Sequence, residues 1–156
     1  MCLAGLLTVF SASLFAQSLE LSSASAARGQ QVMIELALAS PAGKEPLALQ
    51  WDLRIPLAPA ALVDDRLLVG FVAREAGKSL YCAPPTKMDE THTVRCILAG
   101  GRKPIPNGTV ALLKLKIATH APTGSTRVRV ERGLAVSRDL EPVPLRVVET
   151  TVAIRR

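Results

Sequence analysis

Apolar and polar side chains take turns along this chain with a period of two, and helical periodicity is nearly absent. In LALQWDLRIP, beginning at Leu47, the residues Leu49, Trp51, Leu53 and Ile55 share one side of an extended segment, and Ala48, Gln50, Asp52 and Arg54 share the other. Successive side chains of a strand point to opposite faces, so the pattern predicts a strand with one buried and one wetted face. The same alternation sets Val32, Ile34, Leu36 and Leu38 against Glu35 and Ala37, and Leu113, Leu115 and Ile117 against Lys114 and Lys116. Shorter copies at 19–21, 80–82, 94–98, 128–130 and 145–154 bring the expected number of strands to about eight.

Residues with definite turn chemistry separate these segments: Arg28-Gly29, Ser40-Pro41-Ala42-Gly43, Pro84-Pro85, Gly100-Gly101, Pro106-Asn107-Gly108, Pro122-Thr123-Gly124 and Pro142-Val143-Pro144. Strands joined by turns and not by amphipathic helices predict an all-β, antiparallel two-sheet sandwich. Residues 60–69 have some helical character but are short, and are expected to form a crossing segment or an irregular strand. In the last strand the apolar phase slips, from Leu145 and Val147 to Val148, Val152 and Ile154. Such a slip predicts either a β-bulge or a strand that leaves one sheet for the other.

Residues 1–16 form an apolar run ending in small residues, shorter than the roughly 20 needed to span a bilayer. They are expected to be a secretory signal cleaved after Ala16, with Cys2 removed along with it, although no basic residue precedes the apolar run. Residues 17–156 then make one domain, secreted or periplasmic, with no membrane-spanning segment. The removed piece carries no charged side chain, so the formal charge of +6 stays with the domain. Its basic residues are scattered, which argues against a nucleic-acid partner.

Two of the three cysteines, Cys82 and Cys96, remain after cleavage and are expected to form a disulfide in an oxidising compartment. Two thiols without a second close pair fall short of a zinc site. Asp64 and Asp65 could offer oxygens to calcium, but the alternating ligands and terminal glutamate of a calcium loop do not follow. His92, near Asp89 and Glu90, reads as part of a polar loop, and His120 has no nucleophile near it in sequence. No catalytic group, metal or cofactor is therefore expected. Trp51 falls on an apolar face and is expected in the core, leaving Tyr81 as the best candidate for an exposed ring. Asn107-Gly108-Thr109 matches a glycosylation acceptor but is expected to serve as a turn.

Five stretches, GQQVMIELALAS, LALQWDLRIP, GKSLYC, VRCILAGG and IPNGTVALLKLKIATHAPTGSTRVRVE, occur in an order that resembles the secreted cohesin-like domains of bacteria, within the wider cohesin and carbohydrate-binding sandwich superfamily. The resemblance covers roughly 18–156 and implies a jelly-roll-like sandwich of about nine strands that docks a protein partner or contacts a polysaccharide without catalysing anything. Many members carry Asp-Pro where this chain has Ile55-Pro56, so no ligand role carries over at that point. The candidate binding face is one wet sheet face, with Lys114 and Lys116 or else Gln50, Asp52 and Arg54 on it, and Tyr81 is a further candidate contact. An extracytoplasmic protein-assembly module, linked to polysaccharide breakdown, is the first functional expectation. A carbohydrate-binding module working through loops and one sheet face is the alternative, and a fibre or surface-layer subunit joined through sheet edges is a third reading.

Overall fold

The computed structural model describes residues 17–58 and 60–156, without the side chains of 61–66. The expected signal segment 1–16 lies outside the described residues, and so do the side chains of Asp64 and Asp65. In chain order the strands are β1 (Ser18–Leu21), β2 (Ala24–Ala27), β3 (Gln31–Ala39), β4 (Ala48–Pro56), β5 (Ala60–Val69), β6 (Ser79–Cys82), β7 (Thr86–Met88), β8 (Thr91–Ala99), β9 (Gly108–Ile117), β10 (Gly124–Val136), β11 (Pro142–Pro144), β12 (Arg146–Val148) and β13 (Thr150–Arg155). One short helix, α1 (Phe71–Glu75), follows β5.

These strands build two sheets. The smaller runs β12-β1-β3-β9-β5, and the larger runs β2-β13-β10-β4-β8-β6, with β11 alongside β10 and β7 alongside β8. The expected all-β sandwich is thus the fold observed. The segments outnumber the nine expected because both chain-terminal stretches break where they change sheets and the short strands β7 and β11 add two more. β1 pairs with β12 in the smaller sheet, whereas β2 pairs with β13 in the larger. Both of these pairings are parallel, a departure from a purely antiparallel sandwich that follows from the two terminal stretches running side by side in the same direction. Of the two readings of the phase slip near the C-terminus, the change of sheet is the one realised.

The alternation does place the core. Leu49, Trp51, Leu53 and Ile55 of β4 pack with Ile34, Leu36 and Leu38 of β3 and with Leu113, Leu115 and Ile117 of β9, all essentially inaccessible. Removing such side chains from water is the main drive toward this arrangement. Neighbouring Val110 and Ala111 are both buried, against strict alternation. The β3–β9 register explains it: Leu36 faces Ala111 and Ala37 faces Thr109, so Val110 is the extra residue of a bulge. β5 is the irregular strand anticipated, its register on β9 shifting between Leu62 and Leu67.

Helix α1 is seated by two glycines. A Cβ on Gly70 would lie 2.2 Å from the Thr109 carbonyl oxygen, and one on Gly108 would lie 2.9 Å from a Val72 methyl. Asn107, just before Gly108, donates its side-chain amide to the Ser40 carbonyl at 2.9 Å and accepts from the Ser40 N–H at 2.7 Å. Its amide is thereby committed to joining two turns, in keeping with the turn expected there.

Candidate functional site

Each sheet of a sandwich has one outward face, and the sequence-derived candidates divide between the two. Gln50, Asp52 and Arg54 leave β4, and Tyr81 leaves β6, on the outside of the larger sheet. Lys114 and Lys116 leave β9 on the outside of the smaller sheet, so they cannot join the other four in one surface.

On the larger sheet, the strand registers line up three cross-strand rows. The first is Tyr81, Ile97, Gln50 and Leu134, running across β6, β8, β4 and β10. Tyr81 is 65% and Ile97 42% exposed, which leaves an apolar stripe in water. The second row is Arg95, Asp52 and Glu131, and the third is Thr93, Arg54 and Arg129. Alternation along β10 adds Arg127 beyond the third row.

Asp52 differs from its neighbours, for although it points outward it is only 1% exposed. Two arginines cover it. Arg95 donates through Nε to Oδ1 at 2.7 Å and through its terminal nitrogen to Oδ2 at 3.1 Å, a bidentate pair. Arg132 reaches the same Oδ2. Hydrogen bonding from Arg95, with the positive charges of Arg132 and Arg95, holds the Asp52 carboxyl below its ordinary value against the opposing effect of burial. Asp52 is therefore no free contact residue; its carboxylate holds Arg95 and Arg132 in place. A cleft of about 310 Å³ opens beside this group, lined by Ala83, Pro84, Thr86 and Thr93 as well.

A second cleft, of about 250 Å³, is lined by Arg54, Pro56, Thr91, Arg127 and Arg129. Arg129 Nε meets Glu149 Oε2 at 2.8 Å. Arg127 approaches the same carboxylate only to 3.9 Å. Arg54 lies 3.5 Å from Glu131 and donates to the Thr91 hydroxyl at 3.3 Å.

Sequence reasoning missed Arg95, Arg127, Arg129, Arg132, Ile97 and Leu134. Part of the signal was legible: Arg95 and Ile97 alternate with the buried Val94, Cys96 and Leu98, and Arg127 and Arg129 alternate with the buried Thr126, Val128 and Val130. Convergence on the face of β4 depends on strand order, which alternation does not encode. Arg132 was hidden by the break in β10, where register shifts between Glu131 and Leu134 and Arg132 takes φ 50°.

Elsewhere the polar candidates stay apart. Asp89 and Glu90, at φ 47° and 59°, form the two-residue turn joining β7 to β8, a conformation matched to a tight hairpin. Among the described residues no three His, Cys, Asp or Glu side chains gather as metal ligands would. Trp51 is fully buried. Cys82 and Cys96 face each other in the β6–β8 register and are bonded, with Cα atoms 4.1 Å apart.

No family model matches the chain, and no curated protein matches it. Solved structures do. The cohesin of a type I cohesin–dockerin complex from Clostridium thermocellum superposes with a TM-score of 0.73 at 13% identity, covering 90% of this chain and 99% of that one. A non-cellulosomal cohesin from the archaeon Archaeoglobus fulgidus gives 0.70 at 12% identity, covering 90% and 92%. The cohesin module of a Clostridium perfringens family 33 glycoside hydrolase gives 0.67 at 11% identity, covering 90% and 96%. The chain has the cohesin-like β-sandwich fold.

Proposed function

We propose that this chain is a non-catalytic docking module that binds a protein partner outside the cytoplasm through the outer face of the larger sheet. The observation that carries this is the outward-facing row of Tyr81, Ile97, Gln50 and Leu134, exposed at Tyr81 and Ile97 and half-buried at the other two, beside a field of arginines on the same sheet face. Apolar anchors bordered by arginine are the usual composition of a protein interface, where aromatic residues and Arg are enriched and Lys is depleted. The shared fold supports the reading, since one solved neighbour is itself held in a complex with a dockerin. Location outside the cytoplasm is supported by the bonded Cys82–Cys96 pair, because such bonds persist in oxidising compartments. A connection with glycan breakdown rests on the neighbour that belongs to a glycoside hydrolase.

Capture from the secreted proteins of the source organism tests the proposal. The immobilised chain is expected to retain a partner saturably. Ile97→Asp combined with Tyr81→Ala should weaken retention by about tenfold or more, as loss of central anchors does, while Lys114→Glu with Lys116→Glu on the opposite face should leave it unchanged. Equal retention by the two double variants would overturn the assignment of the face. Retention of a polysaccharide and no protein would favour the carbohydrate-binding alternative.

A further inference from the structure

We infer that the partner's contribution to this face is a carboxylate-bearing polypeptide segment, seated over the cleft formed by Arg54, Arg127 and Arg129. The inference rests on the docking reading above and specifies the chemistry of its partner.

Charge comes first. Five guanidiniums, from Arg54, Arg95, Arg127, Arg129 and Arg132, share three carboxylates, those of Asp52, Glu131 and Glu149. These eight side chains alone carry a surplus of two positive charges. Those carboxylates are unevenly used. Asp52 is saturated by Arg95 and Arg132, whereas around the second cleft only Arg129 is held closely, by Glu149 at 2.8 Å, and the contacts of Arg54 and Arg127 are long. The 3.9 Å approach of Arg127 to Glu149 is beyond hydrogen-bonding distance, and the Arg54 contacts of 3.5 and 3.3 Å are long. A guanidinium has five N–H donors, and among the described residues Arg54, Arg127 and Arg129 meet few protein acceptors, so most of the donors lining this cleft are left open.

Identity of the cations comes second. Every cation named on this face is arginine, while the outward cations of β9 are Lys114 and Lys116. Arginine presents a planar fork that meets a carboxylate with two parallel hydrogen bonds, which lysine cannot do. The adjoining stripe of Tyr81, Ile97 and Leu134 suits the apolar side chains of a polypeptide. It supplies one exposed ring, too few for the stacked platform on which nucleic acids or glycans are held.

A fluorescein-labelled decapeptide of alternating glutamate and leucine, followed by anisotropy at about 50 mM salt, is the probe. Binding is expected, and the matching glutamine-leucine peptide should bind about tenfold more weakly or worse. Arg127→Glu with Arg129→Glu should remove the difference between the two peptides, while Lys114→Glu with Lys116→Glu should preserve it. Thermal unfolding of each variant checks that the fold is retained. Equal binding of the two peptides, or indifference to the arginine reversals, overturns the inference. Displacement by millimolar inorganic phosphate, or retention on dextran sulfate without peptide binding, would identify a free anion or a sulfated glycan as the source and overturn it as well. Partner capture that depends on Ile97 but not on Arg127 and Arg129 would leave the docking reading standing and remove this one alone.

Discussion

Asp52 faces outward from a central strand and is nevertheless almost inaccessible, because the guanidiniums of Arg95 and Arg132 lie over it. A carboxylate so placed does two things at once: it is stabilised in its ionised form, and it orders two side chains that would otherwise sample many rotamers. Its folded-state pKa is depressed, so the stability it provides is complete above the ordinary aspartate value and is lost as pH falls through the folded one. Asp52→Asn is therefore expected to destabilise the protein by about 2 kcal/mol at neutral pH, the worth of hydrogen bonds to a charged group. The gap from the parent should narrow as pH falls below the ordinary aspartate value and close once it has passed the depressed folded-state one. Urea unfolding at several pH values checks this, and a gap independent of pH would show that the ion pairs contribute nothing. Lys78 is the contrasting case. It is 5% exposed, donates to the Gly100 carbonyl, and burial alone lowers its pKa. It fastens the Gly100 turn.

Among the elements, β6 and α1 depend most on single contacts. β6 is a four-residue edge strand, and its bond to β8 through Cys82 and Cys96 closes a loop whose ends are 14 residues apart. Reduction, or replacement of both cysteines by alanine, is expected to lower stability by about 3 kcal/mol on the chain-entropy account. That corresponds to a fall of roughly 10 °C in Tm, measured by calorimetry with and without reductant. Since β6 carries Tyr81, the same treatment should weaken the proposed docking as well. Helix α1 rests on the close approach of Gly70 to the backbone of β9. Gly70→Ala must move a carbonyl and not a pliable side chain, and is expected to cost about 3 kcal/mol. Gly43→Ala meets nothing within 4 Å and bears only the strain of φ 77°, about 1 kcal/mol. Chemical denaturation of the two variants separates steric from conformational effects.

At the scale of the whole molecule, two sheets enclose one core and present two outer faces of different character, one armed with arginine and an apolar stripe, the other with Lys114 and Lys116. The alternating pattern was enough to predict the sandwich, the buried side of β3, β4 and β9, and the interior position of Trp51; the pairing of Cys82 with Cys96 came separately, from the number of cysteines left after the expected cleavage. It could do so because burial of every second side chain is a local property of an extended chain. The bulge at Val110, the helix at Phe71–Glu75 and the passage of both terminal stretches between sheets were not legible in full, since each is settled by what a distant strand requires. The same division governs the candidate site. Gln50, Asp52, Arg54 and Tyr81 could be recognised as outward-facing from their own strands. That Lys114 and Lys116 belong to the opposite surface, that Asp52 lies beneath two arginines, and that Arg127 and Arg129 stand beside Arg54 all depend on which strands are neighbours. Side-chain direction is set residue by residue along the chain, whereas proximity across a sheet is set by strand order and register, and only the folded sandwich supplies those.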